Sequence, residues 1–484
     1  MELRKKTISG LIWTFSQQFS VQIIYFIVQI VLARLLAPSA FGLIAMLQIF
    51  LALGQSLIDS GMTSSLIRTQ NVGQKDYSTV FFINIISSVG IYAIVFFCAP
   101  LIANFYDIPL LKIVVRVYCL TFIIQGLVGV QTTRLTKEMN FKLQMIMQIP
   151  SSIIGGVVGI VLAYQGYGVW SLVWMNLARA FVFMLQHWFY TDWRPIFIID
   201  KERLKYHFNF GYKLTLSGLL DVIYTNSYNL IIGKLFSSTQ LGYYNQADTF
   251  RMLPVNNLSS ALGKVTYPMF ASIIDDDAKL KMAYKKIMTQ VLFWIIPLML
   301  SLTVIAKPLF IFVLGEQWKP AVPYFQILCV AAIAYPLHVY NLNIINVKGR
   351  SDLFLRLEII KKVVGVAVIV FSLFWGMTGL LVAQVLFSFS AVYINTYYSG
   401  RMINYPLKEQ LTDIYPMFLT GAIATAVSWL LYNFLTQSYT LPNVVQIPAV
   451  STFFFTIYLG ISFVGKITAL QDFIMIISKK PLLF

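Results

Sequence analysis

The sequence predicts an all-α integral membrane protein of about fourteen transmembrane helices, arranged as two six-helix lobes and a C-terminal pair. Three observations carry that expectation. Of 484 residues, 58% are hydrophobic and 11% charged, with a mean hydropathy of +0.74. So little polar surface cannot cover a water-exposed exterior. Apolar runs of about 20 residues, the length that crosses roughly 30 Å of hydrocarbon as helix, recur along the whole chain. The third observation is an internal repeat. Arg34-Leu35-Leu36-Ala37-Pro38-Ser39-Ala40-Phe41-Gly42 is echoed 200 residues later by Lys234-Leu235-Phe236-Ser237-Ser238-Thr239-Gln240-Leu241-Gly242. Gly10, Thr14 and Ser16 return as Gly211, Thr215 and Ser217 at an offset of 201. Pro100-Leu101, Cys119 and Gly166 answer Pro308-Leu309, Cys329 and Gly376 at offsets of 208 to 210. Order and nearly fixed spacing make these weak matches credible together. A duplicated membrane bundle with a seam between its halves is the build of a transporter.

The first stretch, 11–33, follows Arg4-Lys5-Lys6 as a secretory signal would, but its length and its place in the repeat predict a retained helix. Stretches 41–63, 79–101, 112–133 and 146–165 come next, and a tight join leads into 169–190. The longest polar connection, Thr191–His207, reads as the linker between lobes. The second lobe takes 209–234, 242–268, 288–314, 321–346, 354–375 and 377–399, again with a tight join between the last two. The appended pair is 413–435 and 444–465. The domains are then 1–205, 206–410 and 411–484. Each lobe holds an even number of spans, so both start from the same side and the pseudo-two-fold axis lies along the membrane normal.

A net charge of +17 and a pI near 9.6 would point to nucleic acid in a soluble protein. Here 24 Lys/Arg fall at one set of helix ends and loops, against four on the other: Arg34, Lys112, Lys234 and Lys319. That is the positive-inside pattern. It places both termini in the cytoplasm and excludes a nucleic-acid partner. The opposite loops are short, so no separate domain is available to hold an active site. Cys98, Cys119 and Cys329 lie in or beside spans, without disulfide or metal spacing. His187, His207 and His338 are scattered, and Asp275-Asp276-Asp277 sits in a short Lys-rich loop and reads as solvated charge. No Gly-rich phosphate loop is present. The chain therefore reads as no enzyme and as needing no cofactor, with coupling to H+ or Na+ left open.

Whatever the chain does, it does within the bundle, and the informative residues are polar ones inside spans. The first span carries Thr14, Gln18, Gln22, Tyr25 and Gln29, and the seventh Lys213, Ser217, Asp221, Tyr224 and Tyr228, each set at i, i+4, i+8, i+11 and i+15. Each set forms one helix face. Interhelical hydrogen bonding explains any single member; the paired stripes predict a hydrated cavity between the halves. The eighth span adds Tyr244, Asp248, Arg251, Asn256 and Lys264, with Asp248 and Arg251 spaced to neutralise each other and Pro254 predicting a kink. Arg179 sits near the middle of the sixth span, where a charge costs about 2.5–3.5 kcal/mol and must face water or a partner such as Asp221. Arg116 is expected to snorkel, and Asp59, Glu358, Lys361 and Lys362 near the cytoplasmic face to snorkel or pair locally. Candidate cavity cations are thus Lys213, Arg251, Arg179 and Lys264, against the acids Asp221, Asp248 and Asp59. A neutral to positive cavity suits an anionic cargo such as a pyrophosphate or acidic sugar, and suits a cationic drug poorly. Replacing Lys213 or Arg251 by Ala is then expected to abolish transport, and Arg116→Ala to be mild.

Thr7-Ile8-Ser9-Gly10-Leu11-Ile12-Trp13, Leu32-Ala33-Arg34-Leu35-Leu36 with Phe41-Gly42, Gly61, Gly166-Tyr167-Gly168-Val169-Trp170, Leu241-Gly242-Tyr243-Tyr244-Asn245 and Pro268 complete a pattern over nearly the whole chain. With it the chain resembles the Wzx-type polysaccharide-unit flippases of the multidrug/oligosaccharidyl-lipid/polysaccharide exporter superfamily, closest to the subgroup with the colanic acid flippase. The resemblance implies movement of an undecaprenyl-pyrophosphate-linked oligosaccharide across the bacterial inner membrane by alternating access of two lobes. It implies contact with membrane lipids and with polysaccharide polymerase or chain-length machinery. Lys213 and Arg251 lead as cavity cations and Arg179 follows. The first span lacks the membrane arginines of peptidoglycan-precursor flippases, which argues against that substrate. The rival readings are a cation-coupled drug exporter of the same superfamily and a membrane polymerase or ligase.

Overall fold

The computed structural model describes residues 2–438 and 441–477, with side-chain placement for these except 2–12, 15, 257–265, 268 and 476–477. Among the described residues every regular element is helical. The chain forms two compact units, Met1–Asn245 and Gln246–Phe484. The first contains α1 (Glu2–Leu35), α2 (Pro38–Asp59), α3 (Met62–Arg68), α4 (Gln74–Tyr106), α5 (Leu110–Tyr118), α6 (Leu120–Gly126), α7 (Gly129–Lys137), α8 (Phe141–Tyr164), α9 (Val169–Tyr190), α10 (Lys201–Thr225), α11 (Ser227–Leu235) and the start of α12 (Ser238–Ser272). The second contains the rest of α12 and then α13 (Asp277–Val304), α14 (Ala306–Leu314), α15 (Val322–Ala332), α16 (Tyr335–Val347), α17 (Ser351–Ser372), α18 (Gly376–Met402), α19 (Leu407–Ser438), α20 (Asn443–Val464) and α21 (Thr468–Ile477).

Among the described residues, ten helical segments are long and apolar enough to cross a membrane, or eleven if the pair α5–α6 and α7, bent by 45°, is one span. One of the ten, Ser351–Met402, has 52 residues, room for two passes at about 20 residues each. It breaks at Gly376, where φ is +65°. The expected fourteen also count α10–α11 and α12 as spans. Both are helical, but their Lys, Arg, Asp, Asn and Gln content keeps them below that apolar threshold. The repeat starts a second lobe at 206, whereas the first unit extends to Asn245. The reason is local. α10 packs on α2, α3 and α4, and α11 on α2.

Two glycine contacts fix that packing in the first unit. Gly42 and Gly242, equivalent positions of the repeated motif, meet backbone to backbone: a Cβ on Gly42 would lie 1.7 Å from the Ser238 carbonyl oxygen, and one on Gly242 would lie 2.0 Å from that of Pro38. The residues that announce the duplication are therefore the ones where its two copies touch. At the other end of α2, Gly61 has φ +65° and abuts Gly211 of α10, where an added Cβ would sit 2.1 Å from the Ser60 carbonyl oxygen. Near this end Met62, Leu66, Val80, Phe81, Val130 and Trp193 form an apolar cluster. Beside it the buried His207 ring bonds Ser65 Oγ through Nδ1 at 2.8 Å and Asp76 Oδ1 through Nε2 at 3.1 Å. Burial holds the His207 pKa below the ordinary value, against the pull of Asp76.

In the second unit α19 and α20 pack on each other and on α13. Tyr458 donates to the Phe293 carbonyl at 3.0 Å. Asp276, the middle of the acidic triplet, caps α13 by accepting from the Lys279 backbone N–H at 3.0 Å. That bond holds its carboxyl below the usual range.

Candidate functional site

The first unit encloses a chamber of about 740 Å³ walled by α2, α4, α6, α7, α8 and α9. On α2, Gln48, Gln55 and Asp59 stand at i, i+7 and i+11, within about 20° of one line at 100° per residue. Gln55 and Asp59 point this stripe into the chamber, while Gln48 lines an adjoining space of about 440 Å³. The break between α6 and α7 supplies the opposite wall. Gln125, Val128, Gly129 and Thr132 come from its two sides. Irregular backbone at membrane depth is tolerated where it lines a polar cavity. From α9 comes Arg179, with Asn176 and Ala180 on the same helix face. Gln55, Gln125 and Arg179 line both spaces and so stand where the two meet.

Some of these side chains are bonded within the protein, Gln48 accepting from Asn229 and Asn176 donating to the Leu172 carbonyl, while others keep unused polar capacity. Arg179 is exposed to the chamber and makes no ion pair with a described carboxylate. Gln55 and Gln125 are exposed there too and have no hydrogen-bond partner among the described residues. Asn84 is 2% exposed, lines the chamber, and its Oδ1 lacks a partner. Asp59, the single carboxylate of the lining among the described residues, accepts from the Thr63 backbone N–H at 3.3 Å and from the Thr63 hydroxyl. Gln148 accepts from Gln17 Nε2, tying α1 to the chamber wall. Buried polar groups are normally satisfied. A chamber with this many open donors and acceptors is built to hold water or a polar guest.

Of the residues singled out from sequence, the structure brings Arg179 and Asp59 to this chamber, with Tyr25 beside Arg179 in a crevice of about 20 Å³. Gln18 is exposed on α1, Gln22 half-buried and Gln29 buried. Lys213 is exposed on α10, its Nζ 5.9 Å from the Tyr212 ring centre. Asp221 is also exposed, Tyr224 is half-buried, and Tyr228 stacks on Tyr244 at 6.1 Å. Arg251 is 9% exposed, and its Nε bonds Asp248 Oδ1 at 2.8 Å while Nη1 bonds the Leu328 carbonyl at 3.3 Å. This is the neutralising pair that the three-residue spacing allowed. The Lys264 side chain lies outside the described residues. Gln48, Gln55, Gln125, Asn84 and Asn176 are site residues that the sequence reading passed over. The α2 stripe was there to be found; Gln125 depends on a helix break that a single apolar stretch, 112–133, conceals.

A sequence profile described as "Polysaccharide biosynthesis protein" matches residues 31–323, more than half of the chain. The chain belongs to this family. Among its relatives, the lipopolysaccharide biosynthesis protein WzxC of Escherichia coli K12 is 23% identical over 363 residues, covering 75% of this chain and 74% of WzxC. The teichuronic acid biosynthesis protein TuaB of Bacillus subtilis 168 is 24% identical over 362 residues, covering 72% of this chain and 73% of TuaB. The solved structure of the lipid II flippase MurJ in an inward closed conformation superimposes with a TM-score of 0.74, over 96% of this chain and all of MurJ, at 15% identity. This polysaccharide biosynthesis protein is thus a multi-pass helical membrane protein with the flippase fold, as the sequence led one to expect.

Proposed function

We propose that this protein flips undecaprenyl-pyrophosphate-linked oligosaccharide units from the cytoplasmic to the periplasmic leaflet of the bacterial inner membrane, by alternating access, for surface polysaccharide assembly. The observation that carries the reading is the chamber: a membrane-embedded guanidinium, Arg179, without a carboxylate partner among the described residues, amid open amides. An unpaired charge in a span is tolerated only beside water or a guest, and a hydrophilic cargo with acidic groups is such a guest. The family and the relatives' names support polysaccharide precursors as that cargo. We assign Lys213, exposed on α10, to the diphosphate, and Arg251 to holding Asp248 in the second unit. The 24 to four distribution of Lys/Arg supports cytoplasmic termini. Asp59, as the chamber's acid, is the natural carrier of a coupling H+ or Na+. A polymerase or chain-length factor would receive the product.

The rival drug-exporter reading fits poorly, because a cationic drug would meet Arg179. Deleting the gene decides between them. Loss of surface polysaccharide, restored by the intact gene, with unchanged tolerance of toxic organic cations supports the flippase. Lost tolerance with intact polysaccharide rejects it.

A further inference from the structure

The chamber's charge does not match the cargo's head. Among the described residues its lining carries one cation, Arg179, and one carboxylate, Asp59. A diphosphate diester is charged on both phosphates and asks for several cations or a metal. What the chamber offers instead is amide chemistry. Gln55 and Gln125 each present a carbonyl acceptor and two N–H donors, and Asn84 adds a buried acceptor, all without a hydrogen-bond partner among the described residues. Sugar hydroxyls are donor and acceptor at once, so amides of this kind match them where carboxylates or ammonium groups would match only half. At about 740 Å³ the chamber falls within the roughly 300–1,000 Å³ of small-molecule sites, large enough for a short saccharide.

We infer that the chamber of the first unit holds the saccharide of the cargo, Gln55 and Gln125 bonding its hydroxyls, while the diphosphate stays outside. The inference rests on the flippase reading above and adds where the glycan sits and which side chains read it. Arg179, at the junction of the two spaces, donates to oxygens of the sugars, and Asp59 balances its charge within the same chamber. Selectivity for glycan length and hydroxyl pattern then lies in Gln55 and Gln125, and affinity for the carrier lipid lies elsewhere.

The test uses the purified full chain in proteoliposomes and two carrier lipids with the same undecaprenyl diphosphate, one bearing a single hexose and one a neutral tetrasaccharide. Flipping is read as protection of the glycan from an impermeant periodate probe. Wild type is expected to move the tetrasaccharide carrier faster. Gln55→Leu with Gln125→Leu should lower the tetrasaccharide rate about tenfold or more, the scale of two lost hydrogen bonds, and leave the single-hexose rate within about twofold. Gln55→Ser with Gln125→Ser, which keeps the chamber polar, should shift the ratio the same way. An equal fall for both carriers in the Ser variant, or no fall for the tetrasaccharide, overturns the inference. If wild type moves neither carrier, the flippase reading itself fails.

Discussion

Arg251 separates a structural cation from a transport cation, and its replacement is the sharpest measurement to make. The side chain is 9% exposed and donates to Asp248 and to the Leu328 carbonyl. Arg251→Ala would strand the Asp248 carboxylate and free that carbonyl. Breaking a fully buried ion pair costs about 3–5 kcal/mol; with the Asp248 side chain 35% exposed, water recovers part of this and about 2–3 kcal/mol remains. For a unit of this size, a loss of that order lowers the unfolding temperature by roughly 5–10 °C. Thermal unfolding of detergent-purified protein measures it. A double variant, Arg251→Met with Asp248→Leu, should recover most of the loss, since it leaves no unpaired charge. If Arg251→Ala unfolds at the wild-type temperature while export of polysaccharide is abolished, the guanidinium meets cargo and the assignment to Asp248 is wrong.

The other predictions follow the same logic. Arg179→Gln should cut transport about tenfold or more with no loss of unfolding temperature, because no described carboxylate is left behind; a fall as large as that of Arg251→Ala would show that Arg179 is bonded within the protein. Gly42→Ala should destabilise by about 3 kcal/mol or more, since its Cβ would meet the Ser238 carbonyl oxygen at 1.7 Å, whereas Gly90→Ala, with nothing within 4 Å, should be neutral or slightly stabilising in the same unfolding assay. Burial lowers the His207 pKa, so the folded state binds fewer protons than the unfolded one as pH falls. Stability from this site should be complete above about pH 6.5 and decline below it. His207→Asn should flatten that decline in unfolding scans across pH.

How far the sequence could be read depended on which force decides each feature. Helix positions were legible because apolar run length is set by the bilayer, and every predicted stretch is helical, including the polar 209–234 and 242–268. Arg179 was legible as well, since a mid-span charge has few tolerable fates. Choosing among those fates was not possible from spacing. Asp248 and Arg251 sit three apart whether they bond each other or a cargo, and the rotamers that join them are a tertiary outcome. Lys213 shares its helix face with Asp221 in either case. Gln125 escaped because a regular helix drawn through 112–133 hides the 45° bend that follows it and opens the wall in which it stands.

The two units also show how an interior polar residue that serves the scaffold differs from one that serves a guest. In the second unit, Asn341 is fully buried; it donates to the Leu337 carbonyl at 2.9 Å and to Thr396 Oγ1 at 3.1 Å, and its Oδ1 accepts from Tyr284 and Ser399. Both amide hydrogens and the carbonyl are occupied, so nothing is left to offer a ligand. In the first unit Gln55 and Gln125 are the reverse: accessible, facing a chamber, and unused. Leaving such amides unbonded at membrane depth is unfavourable in the empty state, and the deficit is removed only when water or cargo supplies the missing partners. A side chain filled on every side, as Asn341 is, serves the scaffold, and one left open onto the chamber, as Gln55 and Gln125 are, is available to a guest. The open amides mark where selection by cargo acts, and substituting Asn341 should cost stability, whereas substituting Gln55 should cost discrimination between glycans.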